Sequence, residues 1–221
     1  MAIAFDATSS AKTVSSTTTL TYSHTCAGSN RMLVVGVQTD QISADPTGVT
    51  YNGVAMSKAI GGSNAGGTRR SSLWYLADPA TGANNVVVTL GTASWTTSGA
   101  VSLTGTMPTI GVTGTNYATT GTPITVSVTT ESANSWLVDS IYQNNGALSL
   151  SVGAGQTQRY NEASADGFDG YGSTEPTTGA GSYTMSWTQG SGAADGWVTS
   201  TVEIKELVAI LNIPDARVFF M

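Results

Sequence analysis

The first candidates for chemistry are the only histidine of the chain, His24, and its only cysteine, Cys26. Two residues apart in a strand, they project from one face, where a thiolate and an imidazole base could form a nucleophilic pair. The sequence indicates no third group to orient such a pair, and Leu20 and Tyr22 share the same face. We therefore interpret His24 as a structural histidine rather than a catalytic base.

Carboxylates are the second group of candidates, because glycoside hydrolysis on a β-sheet needs two or three of them aimed at one cleft. No such run is present, since Asp139 and Glu203 are each alone in their predicted strands. The remaining route to a hydrolase is a dispersed site. In that alternative Asp139, Glu162, Glu175 and Glu203 would converge in a cleft.

An acidic, glycine-rich segment, DGFDGYG at residues 166–172, has the composition of a cation-binding loop. Asp166 and Asp169 could supply oxygen ligands to a hard cation such as Ca²⁺, although the spacing differs from that of an EF-hand. Ordinary Asp-Gly turns are the favoured interpretation. Apart from this Ca²⁺ alternative, we expect no cofactor.

Aromatic side chains are the last candidates for a binding site. The tryptophans of the clearest strand patterns, Trp74, Trp136 and Trp187, are expected in the core. The segment 161–181 is rich in glycine and acidic residues and predicts a long loop. In and beside it, Tyr160, Phe168 and Tyr171 are the predicted exposed contacts for a ligand such as a sugar.

Composition excludes several classes of partner. With eight Lys and Arg residues and a net charge of -6, the chain lacks the clustered cations that bind nucleic acid. No segment approaches the roughly 18 apolar residues of a membrane helix. A lone cysteine forms no intrachain disulfide, and the N-terminal residues do not resemble a secretory signal, so we expect synthesis in a cytoplasm.

Period-two alternation of apolar and polar residues dominates the chain and predicts β-strands throughout. RMLVVGVQT (31–39) and SWLVDSIYQ (135–143) are more continuously apolar, as expected for central strands covered on both faces. Asn52-Gly53 predicts a two-residue hairpin. The polar stretch DPATGANN (78–85), with Gly82, Asn84 and Asn85, predicts a turn between strands at 73–77 and 86–90. We predict an all-β fold, a two-sheet antiparallel jelly-roll sandwich of ten to twelve strands, in a single domain over residues 1–205.

The C-terminal tail, residues 206–221, differs from this hydroxyl-rich body because it is dense in large apolar residues. Two interpretations stay open: the tail docks on a neighbouring subunit, or it packs on its own domain. The predicted assembly residues are Leu207, Ile210, Leu211, Ile213, Phe219 and Phe220.

Four stretches carry a family likeness: TLTYSHTCAGSNRMLVVGV, VTYNGVAM, SLWYLADPATGANNVVVTL and GAVSLTG. In succession they resemble jelly-roll, concanavalin A-like β-sandwich structural proteins of tailed phages and prophages, over about residues 3–205. The resemblance implies a virion structural role, as a head decoration protein, a head fibre or a tail appendage. It implies no catalytic residues.

The sequence-based expectation is therefore a non-enzymatic virion protein, made in the host cytoplasm and acting by subunit association. We expect a homo-oligomer, for which a trimer is one arrangement, with capsid or tail proteins as further partners. Two alternatives are kept. One is a carbohydrate-binding or adhesive module on a virion or cell surface, and the other is the polysaccharide hydrolase with a dispersed site.

Overall fold

The computed structural model describes residues 1–40, 45–121, 123–144, 149–164, 167–190 and 196–208. These residues form seventeen strands in four antiparallel sheets. Within them no helix is long and apolar enough to cross a membrane. The predicted all-β, antiparallel class is confirmed, whereas the predicted count of ten to twelve strands is wrong.

The first half of the chain, residues 1–105, forms two sheets. The strands are β1 (Ala4–Lys12), β2 (Thr17–Cys26), β3 (Met32–Thr39), β4 (Pro46–Tyr51), β5 (Val54–Ala55), β6 (Ser57–Ser63), β7 (Arg70–Ala77), β8 (Gly82–Ser94) and β9 (Thr96–Thr104). Sheet I has the strand order β1-β9-β3-β7-β6, and sheet II has the order β2-β8-β4-β5.

The second half, residues 106–208, also forms two sheets. The strands are β10 (Thr106–Ala118), β11 (Ile124–Thr129), β12 (Trp136–Asn144), β13 (Leu150–Val152), β14 (Thr157–Ala163), β15 (Phe168–Pro176), β16 (Ser182–Gln189) and β17 (Trp197–Glu206). Sheet III has the order β10-β17-β12-β15-β14, and sheet IV has the order β11-β16-β13.

The second half repeats the topology of the first. Sheet III has the same strand order as sheet I, with β10, β17, β12, β15 and β14 in the places of β1, β9, β3, β7 and β6. Sheet IV matches sheet II in the same way, with β11, β16 and β13 in the places of β2, β8 and β4. The registers also agree. Val34 of β3 pairs with Val101 of β9, and its counterpart Val138 of β12 pairs with Val202 of β17. Among the described residues only β5 has no counterpart.

The two central strands bury both of their faces, as predicted. Leu33 and Val35 of β3 join an apolar cluster with sheet II, while the intervening Val34 joins a second cluster with sheet III. In β12 the same alternation sends Leu137 toward sheet IV and Val138 toward sheet I. Because side chains alternate along a strand, each of these strands serves two cores.

Sheets I and III pack against each other, and this contact joins the two halves. The contact is reciprocal, because β1 touches β14 while the equivalent pair, β10 and β6, also touch. Reciprocal contacts of this kind define an isologous, two-fold interface. One chain thus contains two equivalent units related like the subunits of a symmetric dimer.

Glycine-rich segments account for much of the underestimated strand count. The predicted loop at 161–181 is wrong, since this segment contains all of β15 and the end of β14. A Cβ at Gly170 would overlap Thr97 and Gln38, and a Cβ at Gly172 would overlap Tyr160. Glycine within a strand allows this close approach of a neighbouring element, yet in the sequence it suggests a loop.

Two local predictions are confirmed. Asn52 and Gly53 both have positive φ, 50° and 75°, and connect β4 to β5. Such angles at both central positions are those of a type I′ turn. The strands predicted at 73–77 and 86–90 lie within β7 and β8, although β7 belongs to sheet I and β8 to sheet II.

Candidate functional site

The three aromatic residues predicted as exposed ligand contacts are buried, so that prediction is wrong. Tyr160 of β14 is 6% exposed and lies between the two halves, where a Cβ at Gly99 would overlap its ring. Phe168 of β15 stacks on Tyr142 with the ring centroids 4.7 Å apart. Tyr171 packs on Trp187 at 5.6 Å. The buried surfaces of these three rings stabilise the core, and the rings are not exposed for contact with a sugar.

A buried polar network surrounds the Tyr160 hydroxyl at the seam between the halves. Gln38 donates from Nε2 to the Ser140 hydroxyl at 2.6 Å and to the Tyr160 hydroxyl at 3.2 Å. Its Oε1 accepts from the Thr97 hydroxyl at 2.8 Å. Ser71 donates to the Ser140 carbonyl, also at 2.8 Å. These bonds satisfy buried polar groups and fix how the halves pack.

Of the two predicted calcium ligands, Asp166 lies outside the described residues. Asp169 is buried at 4% exposure, and its Oδ2 accepts a hydrogen bond from the Tyr171 hydroxyl at 3.0 Å. Burial raises the pKa of the Asp169 carboxyl. In the described ranges, no three His, Cys, Asp or Glu side chains are grouped as metal ligands. Calcium binding stays a prediction.

Asp139 forms a buried carboxylate site between sheets III and IV. Its Oδ1 accepts from the backbone N–H of Ser173 at 2.6 Å and from the Ser173 hydroxyl at 2.9 Å. Its Oδ2 accepts from Trp187 Nε1 at 2.7 Å. Loss of solvent outweighs these bonds and raises the pKa of Asp139 to about 7.

Glu175 and Gln156 extend the Asp139 site. Glu175 is close enough to raise the Asp139 pKa electrostatically, and burial raises the pKa of Glu175 as well. Gln156 donates from Nε2 to the Ser173 hydroxyl at 2.8 Å and accepts from the Ser186 backbone N–H at 2.7 Å. The site thus ties sheet IV to sheet III, and the 1% exposure of Asp139 keeps a polymer away from it.

The other two carboxylates of the hydrolase alternative have different partners. Glu203 is fully buried, and its carboxylate accepts backbone N–H bonds from Val112, Glu131 and Ser132 at 3.1 to 3.2 Å. Glu162 accepts a 2.7 Å bond from the Ser10 hydroxyl. The structure therefore brings Asp139 and Glu175 near each other and gives Glu203 and Glu162 structural hydrogen bonds.

His24 and Cys26 are buried on the face of β2 that also carries Leu20 and Tyr22, as predicted. His24 Nδ1 is 2.8 Å from the Ser9 hydroxyl, and its Nε2 has no hydrogen-bond partner among the described residues. Burial lowers the pKa of His24 to about 4. Burial raises the pKa of the Cys26 thiol, which disfavours the thiolate that a nucleophile requires.

The predicted assembly segment is described only at its beginning. The Leu207 N–H donates to the Gly105 carbonyl at 2.9 Å, and the N-terminal amine of Met1 donates to the Leu207 carbonyl at 2.8 Å. Leu207 also lines a cavity of about 220 Å³ together with Arg31 and Pro108. Val208 is 71% exposed. Ile210, Leu211, Ile213, Phe219 and Phe220 lie outside the described residues.

One candidate site was missed in the sequence. The β4–β5 turn and the start of β8 enclose a shallow cavity of about 420 Å³ on sheet II, lined by Asn52, Asn84 and Asn85 among others. Asn52-Gly53 was predicted as a turn, and this is confirmed. Asn84 and Asn85 were predicted in the turn before the next strand, but they lie within β8. That they converge depends on the pairing of β4 with β8, which local sequence patterns do not specify.

No protein-family model matches the sequence, and neither a curated protein nor a solved structure matches it. The described residues define a fold class, that of an all-β protein with a repeated arrangement of antiparallel sheets. The resemblance to phage jelly-roll proteins stays a prediction.

Proposed function

We propose that this protein is a non-enzymatic structural component of a phage virion, a head decoration protein, head fibre or tail appendage, that acts by subunit association. The observation that carries the proposal is the strand order of the two halves. Jelly-roll sandwiches are a common building unit of viral capsids and also of lectins.

The strand pairs favour a jelly roll in each half. In the first half β1 pairs with β9, β2 with β8, β3 with β7 and β4 with β5. A jelly roll has nested pairs of this kind, because it is one long hairpin that folds over into two sheets. Strand β6 is an additional strand at the edge of sheet I. The second half pairs β10 with β17, β11 with β16 and β12 with β15. The proposed architecture is thus two jelly-roll sandwiches in one chain.

The surroundings of the ionisable groups support a role in association over one in catalysis. Asp139 and Glu203 are the most deeply buried of the four candidate carboxylates. Both accept hydrogen bonds from other strands and loops of the fold. His24 is buried with a pKa shifted away from the range of a general base at neutral pH. These buried groups have structural roles, so we expect the surface of the protein to make the contacts with its partners.

The apolar tail is the proposed contact with other subunits. Its last described residue, Val208, is 71% exposed. The sequence beyond it contains Ile210, Leu211, Ile213, Phe219 and Phe220. Apolar segments of this kind gain stability when a neighbour covers them. We expect a symmetric homo-oligomer, with a trimer as one arrangement, placed against capsid or tail proteins.

The test is the mass of the assembly, measured by light scattering during size-exclusion chromatography. Three proteins are compared with the full chain: a chain ending at Val208, a Phe219→Ser/Phe220→Ser variant, and a Val14→Ser control. Val14 is an apolar residue that is 84% exposed but distant from the tail in sequence. The proposal expects the first two to lose the assembly and the control to keep it. Assemblies of unchanged mass in all three would contradict a tail-mediated contact.

A further inference from the structure

We propose that the amide-lined cavity on sheet II binds a neutral oligosaccharide. This site goes beyond the proposed structural role, and the described tail residues, 206–208, do not line it. The cavity has a volume of about 420 Å³, within the range of small-molecule sites. Its polar lining comes from Thr50, Asn52, Asn84 and Asn85, and Val87 adds an apolar surface.

The chemistry of the lining matches sugar hydroxyls. A side-chain amide offers two donors and one acceptor, and a hydroxyl group of a sugar both donates and accepts. None of the lining residues carries a charge, so the cavity provides no ion pair for an acidic glycan, a phosphate or a peptide terminus. A neutral sugar is the ligand class that this lining complements.

Two of the amides are available for a ligand. The side chains of Asn52 and Asn85 are exposed and form no hydrogen bond with the described residues. Their backbones are linked, because the Asn52 N–H donates to the Asn85 carbonyl at 3.0 Å. The turn and the strand therefore hold the two amides next to each other, which lowers the entropy lost on binding.

The third amide is held in place by its own chain. Asn84 donates from Nδ2 to the carbonyls of Thr81 and Gly82, at 3.2 and 3.3 Å, and to the Tyr51 hydroxyl at 3.4 Å. Tyr51 is fully buried and donates to the Gly82 carbonyl at 3.0 Å. Asn84 is thus oriented from below by a buried residue, as is common for a preorganised binding group.

The internal repeat shows that the fold does not require amides at these strand positions. Asn84 and Asn85 pair with His24 and Ser23 of β2, and in the second half the equivalent pairs are Tyr183 with Val128 and Thr184 with Ser127. The Thr184 and Ser127 hydroxyls bond to each other at 2.7 Å. The second half therefore closes this position with a cross-strand bond where the first half leaves the Asn85 amide free.

Exposed hydroxyls extend the site along the sheet. Thr21, Ser23 and Thr25 of β2 lie on the solvent side of the strand next to β8. Ser23 pairs with Asn85, and Thr25 pairs with Ala83 at the other end of the cavity. A chain of several sugar units could lie across this face, which favours an oligosaccharide over a monosaccharide.

The experiment measures binding of the full-length protein to immobilised neutral glucans, mannans and galactans, followed by calorimetry with an oligosaccharide of the glycan that binds. Four proteins are compared: the unaltered chain, Asn85→Ala, Asn52→Gly, which keeps a residue suited to positive φ, and Thr184→Ala as the matched control in the second half. We expect Asn85→Ala and Asn52→Gly each to weaken binding at least tenfold, while Thr184→Ala binds like the unaltered chain.

Three results would overturn the site: no binding to any neutral glycan, binding to acidic glycans only, or equal binding by Asn85→Ala and the unaltered chain. Circular dichroism verifies the fold of each variant, and Asn52→Gly provides a second test if Asn85→Ala is misfolded. The mass of the assembly, measured on the same samples, separates this proposal from the structural one. A glycan-binding failure with an intact assembly would affect this site alone.

Discussion

The ring of Tyr160 lies against the backbone of Gly99, and this contact crosses the seam between the two halves of the chain. A Cβ at Gly99 would overlap three atoms of the ring, and a Cβ at Gly172, beside it on β15, would overlap the ring as well. The Tyr160 hydroxyl accepts a hydrogen bond from Gln38 of the first half. Because Gly99 and Gly172 have no side chains, the Tyr160 ring has the space to pack against both of their strands.

Replacing Gly99 by alanine should therefore destabilise the protein. The added methyl group displaces the Tyr160 ring, and overpacking of this kind costs about 1–3 kcal/mol in free energy of unfolding. Urea unfolding monitored by tryptophan fluorescence measures the change. Gly48→Ala is the matched control, because a Cβ at Gly48 has no atom within 4 Å. Equal stability of Gly99→Ala and the unaltered protein would contradict the close packing of the seam.

Asp139→Asn should destabilise the protein more at acidic than at neutral pH. The asparagine has one acceptor oxygen where Asp139 serves Ser173 and Trp187 with two, and an unsatisfied buried donor costs about 1–3 kcal/mol. Since the folded pKa of Asp139 is raised to about 7 from 3.8, its contribution is complete below pH 3.8 and is lost as pH rises through 7.

Urea unfolding at pH 4.5 and pH 7.5 tests this dependence. The difference in free energy between the unaltered protein and Asp139→Asn should be smaller at pH 7.5. Asp45→Asn is the control, because Asp45 is a partly exposed carboxylate paired with Lys58. A difference that is equal at both pH values, or larger at pH 7.5, would show that Asp139 is ionised in the folded protein at both.

His24 should remain neutral well into the acidic range. Its pKa is lowered to about 4 from 6.5 by burial, so the unfolded chain takes up a proton there before the folded one. Stability linked to His24 is therefore lost as pH falls from 6.5 toward 4. Because His24 is the only histidine, its ring proton signals in an NMR titration need no assignment by mutation. A midpoint between pH 6 and 7 would contradict the burial of the ring.

Glu203→Gln should cost about 1–3 kcal/mol of stability, because one of the backbone N–H groups bound by the carboxylate would face an amide donor. The affected groups belong to Val112, Glu131 and Ser132. Thermal unfolding compares this variant with Glu206→Gln, whose side chain is half-buried and faces the N-terminal amine at 3.7 Å. Equal melting temperatures for the two variants would argue against this structural role of Glu203.

Regular alternation allowed the sequence to predict a large part of the fold. The β2 face with Leu20, Tyr22 and His24 and the two central strands β3 and β12 follow from period-two patterning and from continuous apolar runs. The turn at Asn52-Gly53 follows from the need for positive φ at both positions. Each of these features depends on neighbours in the chain.

Features that depend on distant contacts were not predicted. In the sequence, Gly170 and Gly172 suggest a loop. In the structure, Gln38 and Tyr160 occupy the space that side chains at these two positions would need, which explains why the strand has glycine there. Tyr160 itself was predicted to be exposed because it lies beside the segment 161–181, which the sequence predicted as a long loop. The amide cavity, likewise, forms only when β4 pairs with β8.

The internal repeat is only weakly visible in the sequence, at positions that the strand topology shows to be equivalent. Asn30 and Asn134 have positive φ, 50° and 55°, at the same position before β3 and β12. The identical pairs Leu33/Leu137 and Val34/Val138 follow them at the same spacing. A few shared residues in a chain rich in Thr, Ser and Val carry too little information to reveal a duplication by themselves.

The most direct test of the structural role is sedimentation velocity of the unaltered full chain over a hundredfold range of concentration. If the protein acts by holding to copies of itself, the mass should settle at one fixed multiple of the chain mass, as expected for a closed symmetric assembly. A single species with the mass of one chain at every concentration would contradict that account.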